Sequence, residues 1–369
     1  MTRQETLFLH LLRCGLWNTP AGELPEPLPT QEEWQGIWEI ARRQTVRGLL
    51  WSAIGQLPRE QRPPQPMMWT MLAAVDAIER SNGQMAGAVQ ASHLLLKQEG
   101  MEPILMKGMA VGLLYTHPEW RECGDIDWFI PSGQGFKNLP AQLRRQGYAP
   151  TAAADGSLSF DMQDVEVELH QQLIDIEAPG CQKVLSKLIE EEGVREIRTD
   201  EGMVFSMPSP LLTLVMLNAH LMKHAFTVGV GLRQFCDMAR AYHTWHGQYD
   251  ADRLTYYYRQ LGLQRWTDLM HSLLTDYLGL PAHELPYPLR RKEADSRRLM
   301  KTILDEGNFG QHTRAWQRAA ASPANIKRHT VRQILRKTPL SMRYAPWEMI
   351  CKIGGLAIGQ WKKPFNNQR

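Results

Sequence analysis

Apolar residues recur at helical spacing through the first hundred positions. Thr30 followed by Glu33 has capping-box spacing just before the pattern Trp34, Ile37, Trp38, Ile40, Ala41, which predicts a helix start. The proline-rich stretch Pro58 to Pro66 separates this helix from a longer one, roughly Met67 to Gln98. The pattern then changes. Pro103-Ile104-Leu105-Met106 is a short apolar run ending at Lys107-Gly108, followed by a short helix at Met109 to Tyr115 and a polar loop, Thr116 to Cys123. Gly124-Asp125-Ile126-Asp127-Trp128-Phe129-Ile130 reads as a strand, and Phe136 to Gln146 as a helix stopped by Gly147. Ser157–Met162 and Val165–His170 read as two strands of a hairpin, with Gln163-Asp164 as its tight turn.

A helix near Gln182–Glu192 and a short strand at Met203–Ser206 come next, and the chain then returns to helical spacing. Ser209-Pro210 is a start signal, a serine cap with proline in the first turn, and Leu211, Leu214, Val215 and Leu217 continue the helix. Further helices are expected around 231–246, 251–261, 265–278, 293–305 and 323–337. The class predicted is α+β: an N-terminal helical region (1–100), an α/β core (101–207) and a C-terminal helical region (208–369).

Composition narrows the function classes. With 43% hydrophobic and 22% charged residues, the 369-residue chain fits an ordinary globular protein with substantial cores. A net charge of +3 demands neither nucleic acid nor an anionic membrane, and no basic stripe interleaved with aromatics supports a nucleic-acid polymerase. Cys14, Cys123, Cys181, Cys236 and Cys351 are scattered and odd in number, against a disulfide framework or a Cys-x-x-Cys zinc site. No apolar run approaches a membrane span, and the first residues lack a cleavable apolar region, so the expectation is a cytoplasmic protein.

Candidate chemistry lies in the α/β core. On a strand, Asp125 and Asp127 share a face about 6.5–7 Å apart. Carboxylates there are costly unless a cation compensates them, and a divalent ion bound to phosphate oxygens is a natural one. In Val165-Glu166-Val167-Glu168-Leu169-His170 the alternation puts Glu166, Glu168 and His170 on one face. Gly108 permits close backbone approach, the helix start at Met109 and Ala110 offers N–H groups to a phosphate, and Lys107 adds a mobile charge. Each piece alone has a bland structural reading. Together they give strand–Gly–helix, Asp-x-Asp strand, then acidic strand, the order of the nucleotidyltransferase fold shared with polymerase beta, in which converging carboxylates hold two metal ions.

The chain resembles the bacterial uncharacterised nucleotidyltransferase family of that superfamily. The resemblance rests on Leu105-Met106-Lys107-Gly108, Leu114-Tyr115, Pro118, Arg121, Gly124-Asp125-Ile126-Asp127, Val167-Glu168-Leu169-His170, His220-x-x-x-His224 and Asp237, across roughly residues 30–245. It implies a small mixed sheet with flanking helices and metal-binding, catalytic roles for Asp125, Asp127 and Glu168, with Glu166 the alternative third acid. It further implies two Mg²⁺ ions, an NTP such as ATP, and transfer of its NMP group to an unknown small-molecule or protein hydroxyl. Lys107-Gly108 stands where the wider superfamily has Gly-Ser, and Lys107, Gly108 and Arg121 are the expected grip on the nucleotide. The rival reading is a nucleotide-sensing or protein-interaction module that keeps the fold without turnover.

Other residues carry weaker signals. His220 and His224 share a helix face, as a cleft-facing or core pair rather than a zinc site, since His-Glu-x-x-His is absent. Arg233 and Asp237 have the spacing of a helix-surface pair. Lys327, Arg328, Arg332, Arg336, Lys337, Lys362 and Lys363 read as a solvated basic face, with an anionic partner or membrane surface as the alternative. Trp347, Ile350, Ile353, Leu356 and Trp361 read as packing residues rather than a membrane anchor.

Overall fold

Local signals fix several elements where the sequence marks them. The structure, a computed structural model, describes residues 1–131, 135–153, 156–174, 176, 178, 180–198, 202–227, 229–308 and 323–361; for 323–330, 352 and 355–361 it describes the backbone alone. Lys362 and Lys363, and the side chains of Lys327, Arg328, Leu356 and Trp361, lie outside the described residues. In the N-terminal region α1 (Arg3–Trp17), α2 (Gln31–Arg43) and α3 (Arg47–Gln56) precede the long α4 (Gln65–Gln98). Thr30 caps α2 through the Glu33 amide, and Glu33 closes the box on the Thr30 amide. Gly48 in α3 cannot carry a side chain without collision: a Cβ there would lie 2.2 Å from the Trp120 carbonyl oxygen. That close approach seats α3 against the loop that leads to the acidic strand.

The sheet is built from β1 (Ile104–Met106), β2 (Ile126–Phe129), β3 (Thr151–Ala152), β4 (Leu158–Met162), β5 (Val165–His170), β6 (Val194–Arg198) and β7 (Val204–Pro208). Their order is β3-β4-β5-β2-β1-β7-β6, with β2 parallel to β5, β1 parallel to β7 and the other pairs antiparallel. The expected hairpin forms: Gln163 and Asp164 take φ of 53° and 62°, both left-handed, as a two-residue turn with the right twist requires. Short helices α5 (Gly108–Gly112), α6 (Leu139–Arg145) and α7 (Cys181–Glu192) fill the crossovers. Helix α5 holds five residues and α6 seven, each shorter than the sequence pattern suggested. Strands β3 and β6 were not anticipated. In β6 the run Val-Arg-Glu-Ile-Arg has no buried residue, so this edge strand shows no apolar face to read.

One face of the central strands packs on α4. Trp128 is fully buried, donates its indole N–H to Ser92 Oγ at 3.0 Å and stacks on His93 with ring centroids 5.6 Å apart. The other face turns toward α8 (Pro210–Phe226), a helix apolar nearly all round and buried over most of its length. Helices α9 (Leu232–Thr244), α10 (Ala251–Gln260), α11 (Gln264–Leu278) and α12 (Glu293–Glu306) follow, then two helices at Pro323–Tyr344 and Pro346–Trp361. The first of these runs beyond the expected 323–337. A single cluster of buried side chains extends from Leu7 to Met349, so the three sequence regions share one core. Among the described residues no helix is long and apolar enough to cross a membrane.

Burial also makes the fold acid-sensitive. His271 donates to or accepts from the Tyr242 hydroxyl at 3.0 Å, and burial pushes its pKa down to about 3. Its folded state stays neutral while the unfolded chain takes up a proton below about 6.5. Stability is therefore complete above that pH and lost as pH falls toward 3, by about 1.4 kcal/mol per unit. Urea titrations between about pH 7 and pH 5 should show this slope, and His271→Gln should make it shallower by about one proton.

Candidate active site

The acids meet because of strand register. In the parallel pair β2–β5, Asp127 lies opposite Glu168 and Phe129 opposite His170, while Met106 of β1 flanks Asp127 on the other side. Asp127, Glu168 and His170 bring one ligand atom each within 4.8 Å of one another. Asp127 is buried, whereas Glu168 and His170 are partly exposed toward a cavity. Glu166 is exposed two residues earlier, opposite Asp161, outside this group. Asp125 precedes β2 and also lies outside the group of three.

Charges within the site are interlocked. The His170 imidazole bonds Asp127 Oδ1 at 2.8 Å through Nε2, which also lies 3.3 Å from Glu168 Oε2. Lys107 donates to the same Asp127 oxygen at 3.3 Å. Burial alone would raise the Asp127 pKa, but Lys107 and His170 outweigh it and hold the carboxyl well below its usual range. Asp125 has no such partner at bonding distance among those described: burial, then repulsion from Asp127 and Glu168, raises it to about 6 against the pull of Lys107 and Arg233. His170 is drawn down by burial but up, and further, by Asp127 and Glu168, to about 9. His170 was not among the expected site residues. Its place on the same face as Glu168 was the available signal.

Lys107 stands at the turn between β1 and α5 with φ 44° and ψ −143°, a conformation rarely taken by a residue with a side chain. Gly108 follows at φ 30°, and a Cβ on it would press on the Asp125 carbonyl at 3.3 Å. The turn thus brings backbone and ammonium up to the acids together. The helix start, expected at Met109 and Ala110, lies at Gly108, and α5 holds only five residues. A cavity of about 280 Å³ opens beside the acids, bounded by Lys107, Glu168 and His170 on the sheet side and by His220, Lys223 and His224 of α8. The His220 and His224 rings meet edge-on at 4.2 Å. Burial, and then nearby Lys107 and His224, keep the His220 pKa well below its usual value, so it is a neutral imidazole facing the cavity.

Arg121 corrects the expectation of a nucleotide clamp. It is 7% exposed and donates through Nε and Nη2 to the two oxygens of Asp237 at 2.8 and 2.7 Å. Tyr115 adds its hydroxyl to Asp237 Oδ1 at 2.7 Å. Arg121 is thereby turned away from the cavity and fully engaged. Arg233 and Asp237 likewise form no surface pair: Arg233 donates to the Glu122 carbonyl, and Asp237 serves Arg121. Asp237→Ala should cost about 3–5 kcal/mol in urea unfolding, because it strands a buried guanidinium. The double variant Arg121→Met/Asp237→Leu should recover most of that loss.

The family described as uncharacterised nucleotidyltransferase matches residues 30–279. No curated protein matches the chain. Among solved structures, the crystal structure of an antigenic nucleotidyltransferase-like protein from Paracoccidioides brasiliensis is similar at 14% identity and a TM-score of 0.34, covering 54% of this chain and 93% of that one. With the family matched over more than half its length, this chain belongs to the uncharacterised nucleotidyltransferases.

Proposed function

We propose that this chain is a Mg²⁺-dependent nucleotidyltransferase that moves the NMP group of an NTP such as ATP to an acceptor hydroxyl, releasing pyrophosphate. The observation that carries the reading is the register of Asp127 against Glu168, beside the Lys107–Gly108 turn. Asp127 and Glu168 offer the carboxylate oxygens that a hard cation takes, with Asp125 next along the chain. One carboxylate oxygen of Asp127 lies within 4.8 Å of one of Glu168, close enough for a single ion to take both.

In this reading Asp127 and Glu168 hold the metal, with Asp125 beside them. Bound there, Mg²⁺ would neutralise phosphate oxygens and make the α-phosphorus more electrophilic. Lys107, already in the cavity wall, turns its ammonium to the phosphates. The acceptor oxygen attacks the α-phosphorus as the bond to the bridging oxygen of the β-phosphate breaks. The hydroxyl proton passes to a carboxylate oxygen of the set. Residues of α8 form the opposite wall of the cavity, where the acceptor would lie. The five free cysteines support our placing the protein in a reducing cytoplasm.

Calorimetric titration with ATP and Mg²⁺ tests the assignment. Asp127→Asn and Glu168→Gln should each weaken Mg²⁺-dependent ATP binding by about tenfold or more, while Glu166→Gln leaves it unchanged. Equal binding by all three would sink it. ATP binding without pyrophosphate release across sugars, aminoglycosides, nucleotides and proteins would support a nucleotide sensor instead.

A further inference from the structure

The charge of this chain is unevenly divided. Residues 323–369 contain ten Lys and Arg against one acid, Glu348, whereas the preceding residues contain 32 against 38. A net charge of +3 therefore conceals a terminal region of +9 on a body of −6. In the helix Pro323–Tyr344 one face is exposed, and it carries Arg332, Leu335, Arg336, Met342 and Arg343. Arg336 and Arg343 reach back to Glu306 and Asp295 of α12 while staying exposed, as long cationic side chains do at an interface. The next helix, Pro346–Trp361, exposes Trp347, Ile350 and Ile353 at a spacing of three. Trp347 is 65% exposed, which corrects its reading as a packing residue.

Beside this face lies a cavity of about 570 Å³, separate from the active-site acids, whose walls combine Met222, Leu261 and Ala345 with Trp347, the buried Glu348 and the exposed Arg259 and Arg265. We propose that the two C-terminal helices dock this chain on an anionic lipid surface. Trp347, Ile350 and Ile353 enter the headgroup–acyl boundary, Arg332, Arg336 and Arg343 lie over it, and a headgroup phosphate sits at Arg259 and Arg265. A basic surface alone would suit any polyanion. The apolar ridge favours lipid over a polar polyanion, because exposed Trp and Ile gain from hydrocarbon that such a polyanion does not offer. The body, net negative, is repelled by the same surface, which orients the molecule with its C-terminal helices down.

Flotation of the full-length protein with vesicles tests this independently of any transferase activity. It should bind phosphatidylcholine vesicles only when they contain phosphatidylglycerol, at about 0.1 M salt, and release at about 0.5 M. Arg332→Glu and Arg265→Glu should each weaken binding about fivefold or more. Trp347→Ala/Ile350→Ser should abolish it while the thermal unfolding midpoint stays unchanged, since both side chains are exposed. Equal binding to neutral vesicles, undiminished binding by the Trp347 variant, or capture by polyglutamate or oligonucleotide with none by vesicles would each overturn the proposal.

Discussion

The buried ion pair between Arg121 and Asp237 is the constraint on which the site rests. Taking two such charges out of water costs several kcal/mol each, and here the cost is offset by a bidentate geometry and the Tyr115 hydroxyl. The pair is the centre of a longer grip. Helix α9 presents Arg233, Asp237 and Arg240 along one face, and they hold the Glu122 carbonyl, Arg121 and the Leu114 carbonyl respectively. Arg47 holds the Glu122 carboxylate from α3, and Asn82 of α4 donates to the carbonyls of Glu119 and Arg121. The loop from Leu114 to Cys123 is thus fixed from three helices before it delivers Asp125 and Asp127.

What that loop delivers is an excess of negative charge in a partly dry place. The protein answers it unevenly: Asp127 receives both Lys107 and His170, while Asp125 receives neither at bonding distance among the described contacts. Two neighbouring carboxyls are therefore pushed apart in proton affinity by their surroundings, the arrangement in which paired acids take different roles. The strained backbone at Lys107 belongs to the same economy, since an ammonium close to Asp127 compensates part of what the conformation costs.

Much of the frame was legible along the chain. The Thr30 capping box, the Gln163-Asp164 turn and the alternation of Val165–His170 are local signals, and each element appears where its signal lies. The pairing of Asp127 with Glu168 was legible only in outline: alternation sets the face, but the parallel register arises from packing between distant segments. Arg121 and Asp237 were misread because the sequence shows neighbours on a helix and cannot show a partner 116 residues away. Trp347 was misread for the converse reason, since apolar spacing marks a face without saying whether anything covers it. Strand β6 left no mark, because a strand without a buried face has no hydrophobic period.

The two left-handed residues at Gln163 and Asp164 have a consequence for how such a chain tolerates change in length. They begin β5 at Val165, and Glu168 reaches the acid side because it stands three positions on. One residue inserted or removed between the turn and Glu168 would reverse every side chain beyond it, sending the carboxylate into the apolar layer against α4 and a leucine or valine to the cavity. Substitutions along β5 can be graded in effect, but a change of length by one is all or none.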